Sequence, residues 1–580
     1  MRLKISESKN AKSLYVIKSV YNKKTKSNTS KIVEKLGTYD ELKKQLNGED
    51  PIEWAKKYVD DLNRKEKEQS QDIMVKLSPA KPLEKDRQNL FNGGYLFLQK
   101  IYHEIGLKKL STDISRRYKF EYNLDSILSR LLYSRVIYPS SKRSTYELSH
   151  KYVEEPDFEL HQIYRALEVL CNESDMIQAE LYKNTTKAIN RSSNILYYDC
   201  TNYYFEIEEA DGLKQYGVSK ENRPNPIVQM GLFMDENGIP LAFDLSNGNT
   251  NEQVTLKPLE KKILTEFELS KFVVCTDGGL SSYTNRKFNS IQDRAFVTTQ
   301  SIKKLPTFLT EWALNKKGWR KPEDDDLFDL DNLDEEKYKD VTFFKERWIK
   351  ENDLEQRLIV TYSIKYRDYH RKLRGKHIDR AENLIEKSPE KIRQSRQTDY
   401  KRLITQTHVT GDGEIADKVA LSIDEAKISS EAAYDGFYAV CTNLEDDASD
   451  ISNINKMRWK VEECFRIMKN ELKTRPVHLT RDTRIKAHFL TCFMALVLYR
   501  IVEIKLNQEF SSGEIIKTLR DMNFYKTEVD DYIPAYTRTE LTDRLHEAFQ
   551  MRTDFQIIPK KSMKKILKLS KTEKSTQNNK

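Results

Sequence analysis

Residues 194–245 constrain the fold most tightly. NILYYDCTNYYFE (194–206) is β-branched and aromatic, and PIVQMGLFMDENGIPLAFDL (226–245) is two apolar runs joined by Asn237-Gly238. Asn-Gly between apolar runs is the strongest short hairpin signal, because a type I′ turn needs positive φ at both central positions. A helical pattern follows in TLKPLEKKILTEF (255–267), then an apolar strand, KFVVCTDGGL (271–280), a short helix, and a strand, RAFVTTQ (294–300). Strand, hairpin, helix, strand, helix, strand predicts an α/β fold with a sheet of mixed order.

Two of these strands carry an isolated carboxylate. Asp199 falls mid-strand, where Asp is depleted and costly unless paired or metal-bound. Asp277 ends its strand, at the edge where α/β sheets place their sites, and Gly278-Gly279 permits a tight turn after it. Each alone is more often a turn or capping Asp. A third carboxylate comes from INKMRWKVEECFRIMKNEL (454–472). At about 100° per residue, Met457, Val461, Cys464, Phe465, Met468 and Leu472 share an apolar face. Asn455, Arg458, Glu462, Arg466 and Lys469 form an adjacent stripe, with Glu463 about 100° from Glu462. A line of cations matches a phosphate backbone, and a carboxylate within it suits a metal ion that touches phosphate. The bland alternative is an exposed helix laced by i,i+4 Arg–Glu pairs. Taken together, Asp199, Asp277 and Glu462 offer a hard-oxygen set of the kind that holds Mg²⁺ or Mn²⁺.

The flanking regions divide by texture. Residues 1–85 read as a small β/α domain, with strands around Leu14–Ile17 and Lys31–Glu34, a polar turn between them, a charged helix bearing Trp54 and Tyr58, and a linker-like stretch at 64–72. Residues 86–190 are helical, 191–300 hold the first part of the sheet, 301–433 are an insertion, 434–510 return to strand and then helix, and 511–580 form a C-terminal region. Within the insertion an acidic run, 323–340, precedes a basic stretch, 357–402, that reads as helix. Beyond 559 the chain is rich in Lys, Ser and Asn and reads as disordered. The basic run Lys142-Arg143 makes 86–150 a candidate for DNA contacts, with 12–37 a second candidate.

The ordered set of motifs over 190–500 resembles the insertion-sequence DDE transposases, in the group marked by a Tyr-x2-Arg-x3-Glu-x6-Lys signature. Arg458-x3-Glu462-x6-Lys469 matches that spacing; Asn455 stands at the Tyr position. YYDCTNYYFE around Asp199, GVSKENRPNPIVQMGL (217–232) and TDGGLSSYTN (276–285) match as well. The resemblance implies an RNase H-like mixed-sheet catalytic core interrupted by an insertion, with a helical N-terminal DNA-binding region. The interruption fits the 185 positions that separate Asp277 from Glu462. It further implies catalysis by Asp199, Asp277 and Glu462 around two Mg²⁺ ions (Mn²⁺ as an alternative), and phosphate contacts from Arg458, Arg466 and Lys469. The implied substrates are double-stranded DNA, both the element's terminal inverted repeats and the target. The acting form would be a homodimer on DNA, in a prokaryotic cytoplasm at the nucleoid. A metal-dependent nuclease without strand transfer and a non-catalytic DNA-binding relic are the rival readings; the presence of all three carboxylates and the spaced cations argues against the relic.

Composition adds limits. Lys and Arg (99) exceed Asp and Glu (90) by 9, but 557–580 alone carries eight Lys against one Glu, so any DNA-binding case rests on local patches rather than bulk charge. The six Cys have no metal-ligand spacing and read as reduced, buried thiols of a cytosolic protein. MRLKISESKN has no apolar core of a secretory signal. The run Phe489–Tyr499 is too short to span a bilayer and reads as a buried helix, so no membrane partner is expected.

Overall fold

The computed structural model describes residues 1–8, 11–22, 27–46, 49–68, 79–80, 82, 84–119, 121–322, 324–387, 399–409 and 418–573. Parts of the N-terminal turn, the 64–72 linker, the acidic and basic stretches and the extreme C-terminus therefore lie outside the described residues. The chain divides into two compact units, Met1–Arg87 and Gln88–Lys580.

The first unit is an antiparallel sheet, β1 (Arg2–Ser8), β2 (Ala11–Asn22) and β3 (Ser27–Thr38), with α1 (Tyr39–Gln45) and α2 (Pro51–Glu68). Leu14 from β2 packs with Leu42 and Ala55 from the helices. Thr38 and Glu41 close the start of α1 as a capping box, each satisfying a backbone N–H the helix cannot. The sequence reading missed β1, although Leu3 and Ile5 alternate with polar residues there; two apolar positions are a short signal.

The second unit begins with β4 (Leu90–Asn92) and six helices: α3 (Tyr95–Glu104), α4 (Leu107–Tyr118), α5 (Leu124–Ile137), α6 (Lys142–Ser149), α7 (Leu160–Asn172) and α8 (Ser174–Ala188). The sheet follows: β5 (Ile195–Tyr204), β6 (Ile227–Asp235), β7 (Pro240–Asn247), α9 (Leu256–Glu266), β8 (Phe272–Thr276), α10 (Tyr283–Phe288) and β9 (Arg294–Thr299). β5, β6 and β7 form an antiparallel meander, while β8 and β9 run parallel to β5.

Next come α11 (Thr307–Leu314), β10 (Trp319–Lys321), β11 (Asp324–Phe328), β12 (Thr342–Glu351), β13 (Leu354–Ser363), α12 (Ile364–Lys387), β14 (Ile404–Val409), β15 (Lys418–Ile423), α13 (Glu425–Ala432) and β16 (Phe437–Thr442). β16 pairs with β9 on one side and β13 on the other. The strands of 301–433 thus continue the same sheet, in the ten-strand order β11-β10-β12-β13-β16-β9-β8-β5-β6-β7; β14 and β15 form a separate pair. The basic stretch is not helical from 357. Arg357 lies on β13, whose β-branched Ile359-Val360-Thr361 outweighs the charge around it, and the helix starts at Ile364.

The chain then forms α14 (Ala448–Lys456), α15 (Trp459–Arg466), a wide turn over Ile467–Glu471, α16 (Asp482–Lys505), α17 (Ser512–Asp521), β17 (Asn523–Lys526), β18 (Tyr532–Pro534), α18 (Glu540–Phe549) and α19 (Lys560–Leu569). α16 is long and apolar enough to cross a membrane by length and composition, but 94% of that window is buried inside the protein. It is the helix on which α3, α5, α7 and the sheet face of β7 pack. α19 corrects the expectation of disorder beyond 559. Met563 and Ile566 are buried at helical spacing, an apolar face concealed by the Lys-rich composition.

β5 shows how the sheet sorts its residues. Side chains alternate along a strand, so Tyr197 and Tyr203 join the core shared with α15 and α16, while Leu196, Tyr198 and Cys200 face the core under α9. The hairpin joins β6 to β7 where the sequence predicts, but not as a type I′ turn: the Gly238 N–H donates to the Asp235 carbonyl at 3.0 Å, so Glu236 and Asn237 are the central residues and only Gly238 takes positive φ, +84°. A Cβ there would also lie 2.3 Å from an Arg500 nitrogen. Gly238→Ala is expected to destabilise the fold by about 1–2 kcal/mol, read as a lower denaturation midpoint; an unchanged midpoint would show that the turn tolerates a side chain.

Candidate active site

Asp199 and Asp277 meet at the sheet. The parallel register of β5 with β8 pairs Tyr197 with Cys275. Continued by two residues, it sets Asp199 opposite Asp277, just beyond the end of β8, at the roughly 4.8 Å spacing of neighbouring strands. Both are half-buried. Asp199 Oδ1 accepts the Cys200 N–H at 2.7 Å, and Asp277 Oδ1 accepts those of Gly279 at 3.0 Å and Leu280 at 3.1 Å. Each therefore keeps its second oxygen without a donor among the described residues. Burial, opposed by the Lys220 ammonium and reinforced by the Asp277 charge, pushes the Asp199 carboxyl up to about 6.

The helical segment over these strands is broken where the sequence predicted one continuous helix. α14 ends at Lys456 and α15 starts at Trp459, so the register shifts at Met457, which is exposed rather than part of the apolar face. Val461, Cys464, Phe465, Met468 and Leu472 are buried as expected. Arg458, at the break, lies close enough to Asp199 to lower its pKa, and its Nη1 is buried without a hydrogen-bond partner. Glu462 follows one turn later, exposed. It forms no hydrogen bond or salt bridge among the described residues. That disfavours the salt-bridged-helix alternative, in which Glu462 would pair with Arg458 or Arg466. Arg466 instead bonds Glu463 at 3.1 Å, and Glu463 also reaches the buried Arg500 at 3.2 Å.

Lys469, in the wide turn, donates to Thr201 Oγ1 at 2.8 Å and Glu221 Oε1 at 3.3 Å. Thr201 shares its face of β5 with Asp199, so Lys469 is drawn to the same face. Burial, then the charge of Lys220, lowers the Lys469 ammonium to about 8. Lys220 is the residue that sequence reasoning missed. Lys220 lies on the chain between β5 and β6 and bonds the Cys200 carbonyl and Glu252, which follows β7. Its signal was present in the SKEN segment, a charged cluster within a strand-to-strand connection.

Arg458 and Glu462 also line a groove of about 680 Å³ with Tyr366, Tyr369, Tyr438 and Trp459. Asn455 is buried, and its amide donates to the Tyr438 hydroxyl at 2.9 Å. An aromatic side chain from β16 thus approaches the position where the signature carries Tyr.

The donor set is entirely carboxylate oxygen, the chemistry that suits a hard divalent cation rather than zinc or copper. The three carboxylates are not drawn into a tight cluster. Among the described residues, the group of His and carboxylate ligand atoms lying within 4.8 Å of one another is Asp543, His546 and Asp554. The carboxylates of that group are already bonded by Arg538 and Arg552.

A family model described as a transposase DDE domain matches residues 206–498. No curated protein matches the chain. Among solved structures, a cryo-EM structure of a piggyBac transposase synaptic complex with hairpin DNA is similar at 9% identity and a TM-score of 0.33, over 74% of this chain and 78% of that one.

Proposed function

The chain belongs to the transposase DDE-domain family, and on that footing we propose that it cuts DNA at the terminal inverted repeats of an insertion sequence and joins the ends to target DNA. The observation that carries this reading is the side-by-side placement of Asp199 and Asp277 under a helix that presents Glu462, with one oxygen of each Asp and the whole Glu462 carboxylate unpaired among the described residues. The strand order β7-β6-β5-β8-β9, a meander followed by two parallel strands, supports an RNase H-like core. The position of β10–β13 between β9 and α14 supports its interruption by an insertion.

Asp199, Asp277 and Glu462 would hold two Mg²⁺ or Mn²⁺ ions. Bound there, the ions would supply activation of the attacking oxygen and charge stabilisation for the leaving 3′-oxygen. The remaining steps belong to the protein. Arg458 offers a buried, unpartnered N–H to a phosphate oxygen beside Asp199. Lys220 and Lys469 add positive charge on the same face of β5, offsetting the phosphates that flank the scissile one, and Arg466 extends that charge outward. The aromatic groove offers stacking faces and cations to nucleotides next to the cut. A homodimer on DNA, in a prokaryotic cytoplasm, is part of the same proposal. Strand transfer of a labelled end duplex separates this reading from a nuclease that only cuts.

The basic stretch after the acidic run has split roles. Arg367 bonds Glu335 and Arg374 bonds Asp435, so both stabilise the fold. Arg357 is tied to Glu346. Arg371, Lys372, Lys376 and Arg380 on α12 are exposed and form no salt bridge among the described residues. Replacing these four by Gln is expected to weaken DNA binding and flatten its dependence on log salt by up to about 0.9 per lost phosphate contact, measured by fluorescence anisotropy. An unchanged slope would remove α12 from the DNA interface.

A further inference from the structure

Lys142 does not reach the surface as a DNA-contacting basic run requires. It is 5% exposed at the first position of α6, whereas Arg143 is exposed and pairs with Glu147. Lys142 forms no hydrogen bond or salt bridge among the described residues. It lines a cavity of about 240 Å³ that has no Asp or Glu in its wall.

Pro139, Pro476, Val477 and Leu479 form one part of the wall, and basic and hydroxyl side chains, among them Arg135, Ser140, Lys142 and Arg143, form the rest. Arg135, 4% exposed, bonds the Leu472 and Lys473 carbonyls and the Ser140 carbonyl, and its Nε is buried without a partner. The Ser140 hydroxyl is likewise buried and unpartnered. His488 Nε2 lies 3.1 Å from the Thr474 carbonyl, which fixes it as a donor. Ser141 caps α6 by accepting the Ser144 N–H, and the remaining first-turn N–H groups of that helix have no intrahelical acceptor.

Burying two cations together without a counter-charge costs several kcal/mol unless an anion completes the site. Burial and the neighbouring Arg135 drop the Lys142 ammonium to about 7. We propose that this cavity is an oxyanion site that takes one phosphate group, held by Lys142, Arg135, Ser140 and the start of α6. A tetrahedral phosphate fits better than a carboxylate, because the ammonium, the guanidinium Nε and the hydroxyl together offer more donors than two oxygens can satisfy. The phosphate is a DNA backbone group or the free ion. The site goes beyond the transposase reading and stands apart from the carboxylates. It is tied to them by chain, because Arg135 grips Leu472 and Lys473, three and four residues after Lys469.

The test uses the full-length chain, Lys142→Met and Ser140→Ala, with Arg116→Gln, an exposed cation outside the cavity wall, as a surface control. Inorganic phosphate is titrated by ³¹P NMR line broadening against chloride at matched ionic strength, and random duplex DNA by anisotropy. Wild type and Arg116→Gln are expected to bind phosphate. Lys142→Met is expected to bind at least tenfold more weakly, with an unchanged or higher melting temperature because an unpaired buried charge is gone. Ser140→Ala should be weakened severalfold while folded. If the phosphate is supplied by DNA, Lys142→Met also weakens duplex binding, lowers its salt slope by about 0.9, and free phosphate competes. If the source is the free ion, duplex affinity and slope stay as in wild type while phosphate binding is still lost. Wild type without phosphate binding, or variants that bind phosphate and duplex as wild type does, would overturn the proposal.

Discussion

Asp199→Asn, Asp277→Asn and Glu462→Gln are each expected to reduce DNA strand cleavage on the order of 10³-fold, equivalent to about 4 kcal/mol of transition-state stabilisation. Each removes one oxygen donor of a shared site, and the remaining two cannot hold an ion in place. DNA affinity should change little, because Arg458, Lys469 and Lys220 remain. Glu463 gives the contrast. Sequence periodicity turns it away from the site, and the structure adds that it binds Arg500 and Arg466. Glu463→Ala should therefore keep cleavage per folded molecule while lowering stability. A folded but inactive Glu463→Ala beside an active Glu462→Gln would show that the helix presents the other glutamate.

Asp235→Ala is expected to destabilise the fold by about 3–5 kcal/mol, the effect of leaving a buried charge unpaired. Arg191 Nε bonds Asp235 Oδ2 at 2.7 Å, with side chains 1% and 0% exposed. The same guanidinium bonds Thr185 and the carbonyls of Ile239 and Pro240, and Asp235 accepts the Ile239 N–H. The pair thus ties α8 to the β6–β7 turn, next to the strand that carries Asp199. Urea unfolding reads the change, and the double variant Arg191→Met/Asp235→Leu should recover much of the loss because no unpaired charge remains. A cost under about 1 kcal/mol for Asp235→Ala would refute this account of the hairpin's anchoring.

The sheet was legible where local signals agree. The Asn237-Gly238 turn, the apolar run before Asp277 and the aromatic run around Asp199 each specify their own strand through propensity and pattern. The parallel pairing of β5 with β8, which sets the two Asp residues side by side, depends on contacts 78 positions apart and leaves no periodicity to read. Residues 357–363 misled because charge density masked a β-branched strand, and 560–569 because Lys masked Met563 and Ile566. The break at Met457 escaped because a wheel drawn at a constant 100° assumes an unbroken helix. Lys220 and the buried Lys142 were hidden for a related reason: composition shows that a cation is present, while only packing decides whether it is solvated, paired or aimed into a cavity.

The central claim is tested most directly by incubating the protein with supercoiled plasmid carrying the DNA that flanks its own gene, with Mg²⁺ or Mn²⁺, and mapping the broken strands. The account predicts metal-dependent cleavage at the borders of matched inverted repeats, with the 3′ ends joined to a second DNA, and neither product with Glu462→Gln. Cleavage that persists in Glu462→Gln, or wild-type protein that binds these ends with metal present and leaves every strand intact, would contradict it.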